Sequence, residues 1–286
     1  MPLSKCKQIL ISGKAPGRPN SPLCMTSNLL HKPDRGFTFV LVHGSNHGGW
    51  CWKRVTPLLE AAGHTVYTPT LTGLADRADE LTQEVGLATH VNDIARLIEG
   101  EKLEQVTLVG HSYAGAVITG AAELIGGRLS SLAYLDAFLP RDGESLMDLE
   151  PQESREAFLE IAREQGDGWR IPPQESFLDR WGLTNPADRK WVWENLTDMP
   201  IRASTEPLSA PTGAARKLPR TFTDLTSPKN PGTITATERA REEGFDILEI
   251  ATGHDAMVSA PAALAVMLVE LIAPAARGSV ALRASN

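Results

Sequence analysis

Ser112 stands where an apolar run stops. Val106-Thr107-Leu108-Val109-Gly110-His111 is short and partly β-branched, as a buried parallel strand is, and Ala114-Gly115-Ala116-Val117-Ile118 beyond the serine is small and helix-compatible. A chain driven from strand to helix at one residue strains that residue and holds its hydroxyl out at the top of a sheet. Only small residues two positions to either side let the strand and helix pass so closely. Gly110 and Ala114 are those residues, the second one methyl larger than the glycine of the G-x-S-x-G pattern. A serine hydroxyl is a weak nucleophile unless a base takes its proton, and an attacked carbonyl needs donors for its oxyanion. Two other segments end as that chemistry requires. His254 follows the last strand of the pattern, Asp246 to Ile250, and the strand Phe39 to Val42 runs straight into His43-Gly44-Ser45. A backbone N–H from that loop and the N–H of Tyr113 together form an oxyanion hole, one such donor being worth about 3 to 4 kcal/mol in the transition state.

These groups meet only if the elements between them bring several strand ends to one edge. After the first strand the pattern predicts a helix from about Trp52 to Ala62, with Val55, Leu58, Leu59 and Ala62 on one face, stopped by Gly63. A strand over His64 to Thr68 follows, then a polar loop through Gly73 and a helix carrying Val91, Ile94, Ala95 and Ile98. Next come the Ser112 strand, its helix and a further strand from Leu132 to Asp136. Strand and helix alternate three times, which predicts an α/β fold with a mostly parallel sheet flanked by helices on both faces. Function in such folds sits at the carboxyl ends of the strands.

From Pro140 the rhythm breaks: 11 of the 20 prolines fall between Pro140 and Pro231, and no strand pattern appears until Thr221. Residues 140–215 therefore read as an inserted, mostly helical cap. Phe158, Ile161 and Ala162 fit one helix face there, and Trp181, Trp191, Trp193 and Leu196 add bulky apolar surface, some for the cap's own core and some for its underside. Regularity returns with a strand over Arg220 to Thr226, a helix near Ala236 to Glu243, the Asp246 strand and a final helix from about Pro261 to Ile272. The core thus comprises 37–139 and 216–273. Residues 274–286 are expected to be a frayed tail. Residues 1–36 read as a loose leader, with six Lys and Arg against Asp34 alone and four prolines from Pro16 to Pro33. It lacks the long apolar segment of a signal peptide, and Met25 is a possible natural start.

Composition narrows the partners. With 28 basic and 35 acidic residues the net charge is −7, which argues against nucleic acid and against an anionic membrane surface. No run approaches the roughly 18 to 20 apolar residues of a membrane span. Cys6, Cys24 and Cys51 have no metal-ligand spacing and cannot all pair, so a reducing cytoplasm is the economical expectation. No metal or other cofactor is called for. The expected partner is a small-molecule ester, and oligomeric state is open.

Four stretches carry a resemblance: Phe39-Val40-Leu41-Val42-His43-Gly44 through His47-Gly48-Gly49-Trp50 and Trp52, Gly110-His111-Ser112-Tyr113, Tyr134-Leu135-Asp136-Ala137-Phe138, and Gly253-His254-Asp255-Ala256-Met257. Together they resemble the α/β-hydrolase group that holds plant methyl-ester-cleaving esterases, the related hydroxynitrile lyases and bacterial carboxylesterases including pyrethroid hydrolases. The resemblance covers about residues 37 to 273. It implies Ser112 as nucleophile, His254 as general base and the N–H groups of Ser45 and Tyr113 as oxyanion donors. That group often places its acid just after the strand that is here Thr221 to Thr226, where this chain has Ser227 and Pro228. The base still needs a buried acceptor. Asp136, ending the strand after the elbow helix, is the preferred candidate, and Asp224, inside its own strand, is the competitor.

Other residues near the predicted site are assigned more modest parts. His111 is expected to pack under the elbow, His43 and His47 to shape the oxyanion loop, and His31, His64 and His90 carry no signal. Gly44 and Asn46 are candidates for the substrate pocket, as is the phenol of Tyr113.

Cleavage of a carboxylic ester through an acyl-enzyme fits every part. The resembling lyases have Thr at the position of Gly44 and Lys after the base, where this chain has Asp255, a charge unsuited to steadying cyanide. A non-catalytic small-molecule binder on the same fold is the other class to keep, given the missing acid. Acids outnumber bases across 142–180 while the cap aromatics are bulky, so neutral apolar esters are expected over anions, with amides, carbamates and lactones as alternatives.

Overall fold

The computed structural model describes residues 36–272, and the leader and tail readings lie outside the described residues. The chain opens with β1 (Thr38–Val42), α1 (Thr56–Ala61), β2 (Thr65–Tyr67) and α2 (Leu87–Gly100). It continues through β3 (Val106–His111), α3 (Ala114–Ile125) and β4 (Leu129–Leu135). Between β4 and β7 (Arg220–Leu225) lie α4 (Leu146–Leu149), α5 (Gln152–Gln165), β5 (Arg170–Ile171), α6 (Glu175–Arg180), α7 (Pro186–Trp193), β6 (Met199–Pro200) and α8 (Ile201–Thr205). The chain then closes with α9 (Ile234–Glu242), β8 (Asp246–Ile250), α10 (Ala256–Ser259) and α11 (Pro261–Ile272).

Six strands form one sheet in the order β2-β1-β3-β4-β7-β8, every neighbouring pair parallel. The fold is α/β, as the alternation predicts. All six residues of β3 are buried, and so are Phe39 to Val42 of β1. Two-sided burial is why these strands read as unbroken apolar runs, each large side chain contributing about 1.5–3 kcal/mol on burial. Register then fixes where the strands end together: Val42 pairs with Gly110, His111 with Leu135, Leu135 with Thr223, and Leu225 with Ile250. The segments beginning at His43, Ser112, Asp136 and Ala251 therefore leave the sheet along one edge.

Two local expectations are corrected. The helix expected from Trp52 to Ala62 is a 3-10 turn over Gly49–Arg54 followed by α1. Pro57 has no N–H to give to a preceding turn, so the α-helix restarts with the proline in its first turn. Between Pro140 and Thr221 a strand pair does occur, β5 antiparallel to β6. Each strand is two residues long and one contains Pro200, too little to leave an alternating pattern.

Candidate active site

Ser112 has φ of 54°, in the left-handed region, which costs a non-glycine residue about 1–2 kcal/mol. Its N–H donates to the Leu135 carbonyl at 3.2 Å, and its own carbonyl accepts from Gly115 at 3.1 Å and Phe138 at 3.0 Å. Those bonds hold the turn. A Cβ on Gly115 would lie 2.1 Å from the Phe138 carbonyl oxygen, so this approach tolerates glycine alone. The extra methyl of Ala114, by contrast, is fully buried without displacing the turn. Gly44 supports the elbow from below, where a Cβ would meet Ser112 Cβ and His111 Nδ1, each at 2.9 Å. It is buried and does not line the pocket, which corrects that expectation.

Asp136 also has a left-handed backbone, φ 41°, and its N–H donates to the Thr223 carbonyl at 2.8 Å. Its carboxylate is fully buried and takes three donors. Oδ2 accepts from His254 Nδ1 at 2.7 Å, while Oδ1 accepts from Lys229 Nζ at 2.6 Å and Thr233 Oγ1 at 2.7 Å. Burial alone would raise this carboxyl, but the bonds from His254 and Lys229 prevail and hold it below the usual carboxylate range. Since a carboxylate only accepts, Nδ1 of His254 carries the proton and Nε2 is left as the basic nitrogen. Asp224 is the other partner of Lys229, at 2.6 Å, and takes Arg241 at 3.5 Å. Of the two candidate acids the structure brings Asp136, and not Asp224, to His254.

The histidine loop is tied from two sides. The His254 N–H donates to the Trp181 carbonyl at 2.8 Å, and the His254 carbonyl accepts from His111 Nε2 at 3.0 Å. Behind it sits a charge whose contacts the sequence did not signal. Asp255, fully buried, faces His47 Nε2 at 3.4 Å and His111 Nε2 at 3.9 Å. Neither contact is aligned as a hydrogen bond, so Asp255 acts on these rings as a charge. For His47 burial opposes the proton, yet Asp255 outweighs it and the net shift is upward. Burial likewise opposes the Asp255 charge, and His47 more than offsets that, holding its carboxyl low. His111 is pushed down to about 3 by burial, with His254 adding to the effect. His43, lowered to about 3 chiefly by burial, donates from Nδ1 to the Gly44 carbonyl at 2.9 Å and accepts from Leu71 N–H at 3.1 Å. His47 Nδ1 donates to the Ser45 carbonyl at 2.7 Å. Together these rings set the backbone of the loop from His43 to His47.

Ser45 lines the pocket with Ser112 and His254, and among the described residues neither the Ser45 nor the Tyr113 N–H donates to a carbonyl. The Tyr113 phenol is fully buried and donates to His90 Nδ1 at 2.8 Å, whose Nε2 in turn donates to the Thr72 carbonyl. It faces the core and not the pocket, a second correction. His90 thereby gains a structural part that its sequence context did not signal. Asn46, φ 60°, lines the pocket, but its Nδ2 donates to the Ile171 and Thr197 carbonyls and ties the loop to the inserted segment.

Residues from the insertion form most of the pocket's wall, among them Leu146, Met147, Phe158, Phe177 and Trp181. Of Trp181, Trp191, Trp193 and Leu196 only Trp181 reaches it; Trp193 is 40% exposed and Trp191 packs edge-on to Trp50. Two charged residues interrupt this apolar wall, Glu150 and Arg180, bonded at 2.8 Å. Burial raises the Glu150 carboxyl and Arg180 draws it partly back. Sequence reasoning did not single out Lys229, Thr233 or Glu150, and it read Asp255 only as a departure from the lyase pattern. The one signal for Lys229 was its place in the loop whose expected acid is missing. No group of three or more His, Cys, Asp or Glu placed to hold a metal ion occurs among the described residues, and no helix among them is long and apolar enough to cross a membrane.

Comparison with known proteins gives this geometry its relatives. Residues 39–266 match the model of the alpha/beta hydrolase family. A carbendazim hydrolyzing esterase from Nocardioides sp. (strain SG-4G) is 36% identical over 245 residues, covering 82% of this chain and 98% of that protein. Methylesterase 1 of Arabidopsis thaliana is 38% identical over 104 residues, 36% of this chain and 40% of that one. Among solved structures, an extracellular α/β-hydrolase from a Paenibacillus species superposes with a TM-score of 0.74 at 24% identity, covering 82% of this chain and 98% of its own.

Proposed function

The chain belongs to the α/β-hydrolase family, within its esterases, and on that premise we propose that it is a serine esterase with Ser112 as nucleophile, His254 as general base and Asp136 as the acid that orients it. In the first half-reaction Ser112 Oγ attacks the ester carbonyl while His254 Nε2 takes the hydroxyl proton. The oxyanion is received by the N–H groups of Ser45 and Tyr113, and the alcohol leaves with the proton returned by His254. Water, activated by the same nitrogen, then attacks the acyl-enzyme; the acid is released and Ser112 regains its proton. The observation that carries this proposal is the 2.7 Å bond between His254 Nδ1 and Asp136 Oδ2, made across 118 residues of sequence inside the pocket's wall. It fixes the tautomer that leaves Nε2 able to act as a base.

The apolar wall supports neutral, apolar esters as the substrates admitted, because an anion would lose its hydration without gaining a counter-charge that is not already paired. The test is direct. Purified protein should turn over p-nitrophenyl esters and be labelled by an organophosphate, and Ser112→Ala should abolish both. A panel of neutral esters graded in acyl and alcohol bulk, with the carbamate carbendazim beside them, locates the substrate class. Absence of turnover and of labelling in protein that still binds a small molecule would replace the enzyme with a binder on the same fold.

A further inference from the structure

We infer that Glu150 determines specificity in this pocket, its free carboxylate oxygen selecting neutral esters that carry an N–H hydrogen-bond donor on a ring of the acyl or alcohol group. This role presupposes the serine esterase proposed above and adds its substrate class. Glu150 caps the C-terminus of α4 and lines the same pocket as Ser112 and His254, its side chain only 8% exposed. Arg180 Nη2 donates to Oε2 at 2.8 Å, while Arg180 Nη1 donates to Ser154 Oγ at 2.9 Å. That set ties α4, α5 and α6 together, and it uses one oxygen. Among the described residues no group donates to Oε1. The oxygen has room because the neighbouring residue is Gly232, where a Cβ would stand 2.9 Å away.

The pocket that Glu150 lines is walled largely by apolar side chains, Phe138, Phe158 and Phe177 among them, with Arg180, Ser204 and Asn230 as polar members. Solvent can serve Oε1 only while the pocket is open to it. A ligand that fills the space between those rings displaces that solvent, and unless it brings a donor it leaves a buried carboxylate oxygen unserved. A site built this way discriminates against the analogue that lacks the donor. Because Arg180 already balances the charge of Glu150, the donor that fits is a neutral N–H and not a second cation.

The test is a set of isosteric pairs: methyl indole-2-, 3- and 5-carboxylate, each against the benzofuran with oxygen in place of N–H. For at least one isomer the wild-type protein should favour the indole in kcat/KM by about 10- to 100-fold, the range of a hydrogen bond to a charged acceptor. In Glu150→Gln the amide oxygen stays on Arg180, so the amide NH2 takes the place of Oε1 and turns an acceptor into a donor. The indole preference should then vanish or invert. If Glu150→Gln does not fold, Glu150→Asp, which withdraws the carboxylate, should reduce the same ratio. Equal turnover of indole and benzofuran in every pair, or a preference that survives these substitutions, overturns the role of Glu150. So does wild-type protein that labels at Ser112 but accepts no member of the set. Wild-type protein that neither turns over p-nitrophenyl esters nor labels at Ser112 sinks the serine esterase instead.

Discussion

Replacing Asp136 by asparagine sets a trap whose direction is fixed by the neighbours of the carboxylate. Oδ1 faces two donors, Lys229 Nζ at 2.6 Å and Thr233 Oγ1 at 2.7 Å, so an asparagine must turn its carbonyl oxygen to them. Its NH2 group then faces His254 Nδ1, which must accept, and the ring shifts to the tautomer protonated at Nε2. A base already protonated at the working nitrogen cannot take the Ser112 proton. The same substitution in a well-studied serine protease leaves the geometry intact and lowers turnover about 10⁴-fold, so a loss of roughly 10³ to 10⁴ is expected here, or about 4 to 5 kcal/mol of barrier. The assay is kcat on a p-nitrophenyl ester at saturation, with circular dichroism confirming the fold. Two companion variants sharpen it. Asp224→Asn keeps a carbonyl oxygen for Lys229 and should lose less than about tenfold. Adding Lys229→Met to Asp136→Asn frees the amide to flip, since the Thr233 hydroxyl can accept as well as donate, and should restore at least about tenfold. Near-full activity in Asp136→Asn, or an equal loss in Asp224→Asn, would refute the assignment of the acid, and no recovery in the double variant would refute the tautomer trap.

Stability should fall as the medium is acidified below neutrality. His43 and His111 are both held to about 3, so between the ordinary histidine value of about 6.5 and that point the unfolded chain binds two more protons than the native one. Two groups at about 1.4 kcal/mol per pH unit give a slope on the order of 2.7 kcal/mol per unit, with His64 and His90, also lowered, acting in the same direction. His47 is raised, so its contribution is complete below about 6.5 and is lost as pH climbs through its folded value. Asp136 and Asp255 are lowered, and the stability they supply persists until pH falls below the usual carboxylate range. Urea midpoints that stay flat from pH 7 to pH 5 would contradict this. Gly115→Ala should cost at least about 1–3 kcal/mol, read as a lowered Tm, because a Cβ 2.1 Å from the Phe138 carbonyl forces the elbow apart; an unchanged Tm refutes the close approach. Tyr113→Phe strands His90 Nδ1 without its donor and should destabilise by about 1–3 kcal/mol in denaturant melts, whereas a neutral result would mean that solvent reaches that ring.

What the sequence made legible follows burial. β1 and β3 lie in the middle of the sheet, so their residues are apolar without interruption and their ends, with His43 and Ser112 just beyond, can be read directly. The inserted segment is another matter. Glu150 and Arg180 sit in a stretch rich in exposed acids, where a glutamate reads as part of a solvated face until the packing of α4 against the pocket is known. The Tyr113 phenol is the converse case: adjacency to Ser112 suggested the pocket, but a helix that starts there turns the side chain to α2, where His90 waits.

The choice of acid shows why spacing alone left two candidates. Leu135 pairs with Thr223, so Asp136 and Asp224 occupy neighbouring positions at the same height of the sheet, and Lys229 binds both. They differ in backbone, and a one-residue change of backbone state re-aims a side chain. Asp224 is still within β7, while Asp136 has left β4 with φ of 41°. The turn at Asp136 repeats the one at Ser112. Each residue follows the last of its strand, each takes a left-handed conformation, and each gives its N–H to a carbonyl on the next strand, Ser112 to Leu135 and Asp136 to Thr223. Two turns of the same kind on adjacent strands thus place Ser112 in the pocket that His254 lines and the Asp136 carboxylate on His254 itself. The strain of about 1–2 kcal/mol at each is offset by bonds that only this sheet register supplies. The carboxylate on the β4 end is thus held by the same kind of turn as the Ser112 beside it, and the loop after β7, which has no carboxylate at its start, contributes instead the lysine that fixes which oxygen faces the histidine.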